Sequence, residues 1–269
     1  MKVVKTIKSF RQLRPSLSNS LGFVPTMGAL HAGHESLIKE SKNLCTNTCV
    51  SIFVNPLQFS EGEDFDTYPS NLKDDVKTLE QQNVDVLFLP SADEIYKKSS
   101  SFSIKEDFLS TVLEGSSRPH FFHGVMTVVM KLLNIVSPSH AFFGKKDFQQ
   151  MLLIEKMIAD FNLPVDLVRC ETLRNKQGLA YSSRNRYLSK EGCINASNVF
   201  KTLRLCLLKN TNKELIESEI QSLPGVMLDY FVYVDNKTLR PITKNHSCFL
   251  VCIAFYVEGV RLIDNVEIN

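Results

Sequence analysis

Short apolar runs that alternate with helix-patterned stretches over the first two-thirds of the chain constrain its fold more than any other feature. Val3–Ile7, Leu21–Pro25, Cys49–Asn55, Val84–Leu89, Ala141–Gly144 and Val165–Cys170 read as strands. Ser36–Leu44, Asn71–Gln82, Thr127–Val136 and Phe148–Phe161 read as the helices between them. The strand candidates are continuous apolar runs and do not alternate with polar residues, as expected where both faces of a sheet are covered. Strand–helix alternation predicts an α/β fold, a doubly wound parallel sheet with right-handed crossovers. Ligands of such sheets bind beyond the carboxyl ends of the strands. After about residue 172 the pattern changes to a polar stretch, 173–188, and charged helical stretches, 190–209 and 213–222. Strands Tyr230–Val234 and Phe249–Val257 and a last run, Arg261–Asn265, follow. The expected division is residues 1–172 and a smaller α+β C-terminal domain, 173–269.

Composition narrows the classes of function. The 269 residues carry a net charge of only +2, so bulk charge offers nothing to nucleic acid or to a membrane surface. No apolar stretch approaches the ~20 residues of a membrane span, and Met1–Lys5 opens no signal sequence, so a cytoplasmic protein is expected. The 7 cysteines, an odd number, do not read as a disulfide framework. Cys45/Cys49 and Cys248/Cys252 share a spacing, but they read better as small apolar residues, Cys49 opening one strand and Cys248 and Cys252 alternating in another.

The chemistry-bearing clusters follow the strands. Pro25-Thr26-Met27-Gly28-Ala29-Leu30-His31-Ala32-Gly33-His34 is a strand end, a glycine turn and a helix start with two histidines. Such a turn can bring phosphate to backbone N–H groups at a helix N-terminus, with imidazole donors beside them. His-x-Gly-His therefore points to nucleoside triphosphate chemistry and adenylyl transfer. Asn55 and Gln58, after the next strand, offer amides to a small molecule or simply cap a loop. In Gly144-Lys145-Lys146-Asp147-Phe148-Gln149-Gln150 a lysine can neutralise phosphate and Asp147 can cap the next helix; a plain turn with solvated lysines is the alternative. Ser182-Ser183-Arg184 is a phosphate clamp or a surface loop, and Arg118 a carboxylate or phosphate ligand or part of an ordinary loop after a helix end at Gly115.

In this order the clusters resemble the pantothenate synthetases, or pantoate–β-alanine ligases. The resemblance runs through Val24–His34, Ser51–Phe59, Leu113–Pro119, Phe143–Gln150, Leu179–Leu188 and Arg261–Asn265. It implies a Rossmann-like domain binding nucleotide and pantoate, a C-terminal lid, a homodimer, and Mg²⁺ carried on the phosphates of ATP with no metal site of the protein's own. Pantoate would be activated by ATP as pantoyl adenylate and then joined to β-alanine, releasing AMP and pyrophosphate. His31, His34, Lys146, Ser182, Ser183 and Arg184 would act on the triphosphate. Pro25, Met27, Gly28, Gly33, Gly144, Asp147, Leu173 and Tyr181 would complete the ATP site, and Met27, Asn55, Gln58, Phe59 and Gln150 the pantoate site. Three positions depart from the family pattern: Lys145 stands where Glu is common, Tyr181 replaces a Met, and Phe121-Phe122 replaces a His-Phe pair, with His120 and His123 on either side. A nucleotidyltransferase acting on a phosphate acceptor is the nearest rival, although Gln58 and Gln150 are poor phosphate ligands. A class I aminoacyl-tRNA synthetase lacks its basic surface here, and a nucleotide-binding module would release no pyrophosphate.

Overall fold

A computed structural model describes residues 1–59, 65, 68–69, 71–207, 212–242 and 248–268. The last two residues of the helical stretch expected over 190–209 therefore lie outside the described residues. The strands are β1 (Lys2–Val4), β2 (Leu21–Thr26), β3 (Asn47–Ile52), β4 (Val86–Phe88), β5 (His140–Gly144), β6 (Asp166–Cys170), β7 (Val226–Val234), β8 (Phe249–Val257) and β9 (Val260–Ile268). The α-helices are α1 (Ile7–Leu13), α2 (Ala32–Leu44), α3 (Leu72–Gln81), α4 (Ala92–Ile95), α5 (Glu114–Ser117), α6 (Phe121–Val136), α7 (Phe148–Asp160), α8 (Lys190–Leu203) and α9 (Lys213–Gln221). The chain divides into two compact units, Met1–Lys145 with Gln149–Glu171, and Lys146–Phe148 with Thr172–Asn269. Among the described residues no helix is long and apolar enough to cross a membrane.

The first unit is built on a six-stranded sheet in the order β1-β4-β3-β2-β5-β6, every pair parallel. Burial follows position: β2, β3 and β4 are almost wholly covered, while the edge strands β1 and β6 expose half or more of their residues at least partly. Val24, Ile38, Val50, Leu79, Leu87 and Phe142 form a core between sheet and helices. From β2 the chain winds through β3 to β4 on one side, whereas β5 pairs on the other side of β2. The winding reverses between β2 and β5, and ligands of such sheets bind outside the carboxyl ends of the strands at a reversal of this kind.

The second unit is the antiparallel meander β7-β8-β9, with α8 and α9 contributing to its own core around Leu203, Ile216, Ile220, Phe231, Ile253 and Phe255. Glu258 and Gly259, both with positive φ, make the two-residue turn between Val257 and Val260. The α/β class with a small C-terminal α+β part agrees with the alternation in the sequence.

The differences lie at boundaries. Ile7 ends no strand; it opens α1, because the Thr6 side chain accepts from Ser9 N and caps a helix there. α2 starts at Ala32, before Ser36, and α6 at Phe121, before Thr127. β3 covers 47–52, so Asn55 lies in the loop after it. Gly115 sits inside α5 and does not end a helix, and exposed Cys248 precedes β8.

Candidate active site

β2 ends at Thr26, whose hydroxyl donates to Ser51 O (2.7 Å) and accepts from Gly28 N (3.2 Å). Gly28 and Ala29 then take φ of +82° and +51°, the left-handed region that glycine enters without strain. The turn is folded onto Asp75, a carboxylate on α3 that is only 4% exposed. Its Oδ2 accepts from Ala29 N (2.9 Å) and its Oδ1 from Leu30 N (2.7 Å). Asp75 is not among the expected site residues. Its signal is an acid placed within the apolar stripe Leu72, Val76, Leu79 of a helix.

His31 is the N-cap of α2. Its Nδ1 accepts from Gly33 N (3.1 Å), while His34 Nδ1 accepts from His31 N (3.4 Å). This is a capping box made by two imidazoles whose ring centroids stand 4.0 Å apart. A ring nitrogen that accepts an N–H carries no hydrogen, so in each neutral ring the hydrogen sits on Nε2. Capping thus sets both histidines in the tautomer that presents Nε2–H as a donor. The N–H groups of Gly28, Ala29, Leu30, His31 and Gly33 are each bonded within the protein, so these five are not available to an anion.

After β3, Asn55 is 1% exposed and its amide is fully used. Oδ1 accepts from Leu57 N (3.3 Å) and from the Tyr96 hydroxyl (2.8 Å), and Nδ2 donates to Gln58 Oε1 (2.9 Å) and Gly124 O (3.1 Å). Gln58 is also buried, and Arg118, stacked on Phe121, donates to its carbonyl (3.0 Å). Because Gln58 Oε1 receives the Asn55 amide, its Nε2 is the end left to meet a ligand, a donor-only group. The turn is reached by α6 through Gly124, where a Cβ would fall 2.1 Å from Leu57 O. Phe59 packs against Phe65 and Tyr68 at ring distances of 5.2 and 5.6 Å. Burial pushes the Tyr96 phenol well above its ordinary range, so it remains a donor.

After β5, the neighbouring glutamines separate in kind. Gln149 is buried, accepting from Glu114 N (3.1 Å) and donating to Leu109 O and Val112 O (both 2.7 Å). Gln150 is half-buried, and its amide has no hydrogen-bond partner among the described residues. Gly144 has open space around it. Lys145, the departure from the family pattern, pairs with Glu171 at 2.6 Å, so its charge is compensated.

The second unit holds Lys146, Asp147, Leu173, Tyr181, Ser182, Ser183 and Arg184. Lys146 Nζ lies 3.2 Å from Asp147 Oδ1, and its carbonyl accepts from Asn265 Nδ2 (2.9 Å). Behind it, Arg174 grips the buried Asp264 with two bonds of 2.6 and 2.7 Å and lies 3.4 Å over the Phe200 ring. Leu173 and Tyr181 face each other across a hairpin through Tyr181 N to Leu173 O (3.1 Å). Ser182 caps the 3₁₀ turn 183–187 by accepting from Arg184 N (3.3 Å), and Ser183 is buried. Burial raises the thiols of Cys45, Cys49, Cys193 and Cys206, and that of Cys170 to about 11, so they remain protonated and poor nucleophiles at neutral pH.

The family model described as pantoate-beta-alanine ligase matches residues 2–267. A pantothenate synthetase of Fervidobacterium nodosum is 42% identical, with all of both chains covered. A crystal structure of pantothenate synthetase from Thermus thermophilus superposes with a TM-score of 0.93 at 36% identity, covering 99% of each chain. A pantoate-beta-alanine ligase from Francisella tularensis, complexed with beta-gamma ATP and beta-alanine, gives a TM-score of 0.86 at 39% identity, covering 99% of this chain and 97% of that one.

Proposed function

The chain belongs to the pantoate–β-alanine ligase family, and from that premise we propose how its own residues carry the reaction. A carboxylate oxygen of pantoate attacks the α-phosphorus of ATP, and the bond to pyrophosphate breaks. The amine of β-alanine then attacks the acyl carbon of pantoyl adenylate; AMP leaves and the amine proton passes to solvent. Both nucleophiles belong to substrates, so the protein aligns them, stabilises the moving charge and keeps water from the acyl adenylate.

The observation that carries the reading is the imidazole pair with its Nε2–H donors set by helix capping, at the carboxyl end of β2 beside the switch point. His31 and His34 donate to phosphate oxygens. The Nε2 of Gln58 donates to an acceptor oxygen of pantoate, Gln150 provides a second amide, and Met27 and Phe59 line its apolar part. Asn55 serves pantoate by holding Gln58. Lys146, Ser182, Ser183 and Arg184 are assigned to the triphosphate. Pro25, Gly28, Gly33, Gly144, Asp147, Leu173 and Tyr181 are assigned to the rest of the nucleotide. Mg²⁺ enters as part of the substrate, held by ATP phosphate oxygens. A cytoplasmic homodimer is part of the same reading, and a one-subunit mass by sedimentation at micromolar concentration would remove the dimer.

The test is pyrophosphate release from Mg·ATP. Release that requires pantoate, with AMP and pantothenate accumulating only when β-alanine is added, is expected. ATP binding without pantoate-dependent release would return the chain to a nucleotidyltransferase with another acceptor or to a binding module.

A further inference from the structure

The amide of Gln58 can orient a substrate only if its own orientation is held, and the structure shows what holds it. Asn55 cannot be turned over: its oxygen faces Leu57 N–H and its nitrogen faces Gly124 C=O, so the reversed amide would set donor against donor and acceptor against acceptor. The remaining oxygen lone pair of Asn55 takes the Tyr96 hydroxyl at 2.8 Å, and the remaining N–H goes to Gln58 Oε1 at 2.9 Å. Tyr96 stands at the C-terminal end of α4, far along the chain from both amides, and its ring packs 6.1 Å from Phe53. Hydrogen bonds run from it in one direction, Tyr96 O–H to Asn55, Asn55 N–H to Gln58.

We propose that Tyr96 is a positioning residue for pantoate, acting through Asn55 to aim the Nε2 donor of Gln58. This rests on the assignment of Gln58 to pantoate. A saturated, polarised string of this kind narrows the position of its last member, and loss of the first bond loosens the rest.

Tyr96→Phe removes one oxygen and keeps the ring. The expected result is a pantoate KM raised about three- to tenfold, the worth of one neutral hydrogen bond, with the KM for ATP, the KM for β-alanine and the melting temperature nearly unchanged. Gln58→Ala is measured beside it, with the double variant. If Tyr96 acts through Gln58, the double variant shows the pantoate KM of Gln58→Ala alone. Multiplying effects, an unchanged pantoate KM in Tyr96→Phe, or equal rises for ATP and pantoate would each overturn the proposal. An unchanged pantoate KM in Gln58→Ala would instead overturn the assignment of Gln58, so the two failures are told apart.

Discussion

At the scale of single residues, similar side chains in adjacent places do different work, and burial with partners separates them. Gln149 spends its whole amide on the backbone of 109–114, whereas Gln150 has no such partner among the described residues. Gln149→Ala should therefore lose about 1–3 kcal/mol by leaving buried backbone groups unpaired, seen as a lower denaturation midpoint. Gln150→Ala should keep that midpoint and raise the pantoate KM. Lys146→Ala is expected to fold normally and slow pyrophosphate release ten- to a hundredfold, from a charge-assisted contact of ~1.5–3 kcal/mol; a near-normal rate would end its assignment to phosphate. Asp75→Asn leaves one amide end facing a backbone N–H, so both stability and the adenylation rate should fall. The residues that carry chemistry by type, His31, His34, Gln58 and Lys146, are legible in the sequence because their motifs are local. Asp75 and Tyr96 are not, because what makes them matter is a partner about forty residues away, 46 for Asp75 to Ala29 and 41 for Tyr96 to Asn55.

At the scale of elements, the turn after β3 is held in place by α6, and the approach depends on a missing side chain. A Cβ at Gly124 would sit 2.1 Å from Leu57 O and 3.1 Å from Gln58 N, both backbone atoms. Gly124→Ala must push the turn aside, at a cost of about 1–3 kcal/mol for overpacking. Pantoate affinity should fall while ATP affinity is largely kept, which isothermal titration of each ligand would show. The strands of the sheet are readable because covered strands need continuous apolar runs. Helix starts are less so: α2 and α6 begin with His31 and His120, caps that do not belong to the usual Ser, Thr, Asp, Asn set, and His120 adopts φ of +71°. α1 is hidden because its only buried residue is Phe10, too little to mark a period.

At the scale of the molecule, each unit has its own apolar core, and the second also has a buried ion pair. Arg174→Met would strand the Asp264 carboxylate, at a cost of roughly 3–5 kcal/mol. Hydrogen exchange should then quicken across 172–268 while the sheet of the first unit keeps its protection; uniform loss in both would show that the units unfold as one. The histidine turn has a different kind of independence. Five of its amides are bonded to the side chains of Thr26, Asp75, His31 and His34, so the ordering of those groups is spent during folding and not on arrival of the nucleotide. An inhibitor aimed at this turn gains nothing from acceptors placed against those five main-chain donors. The two imidazole edges, with ring centroids 4.0 Å apart, are donors whose spacing it can match.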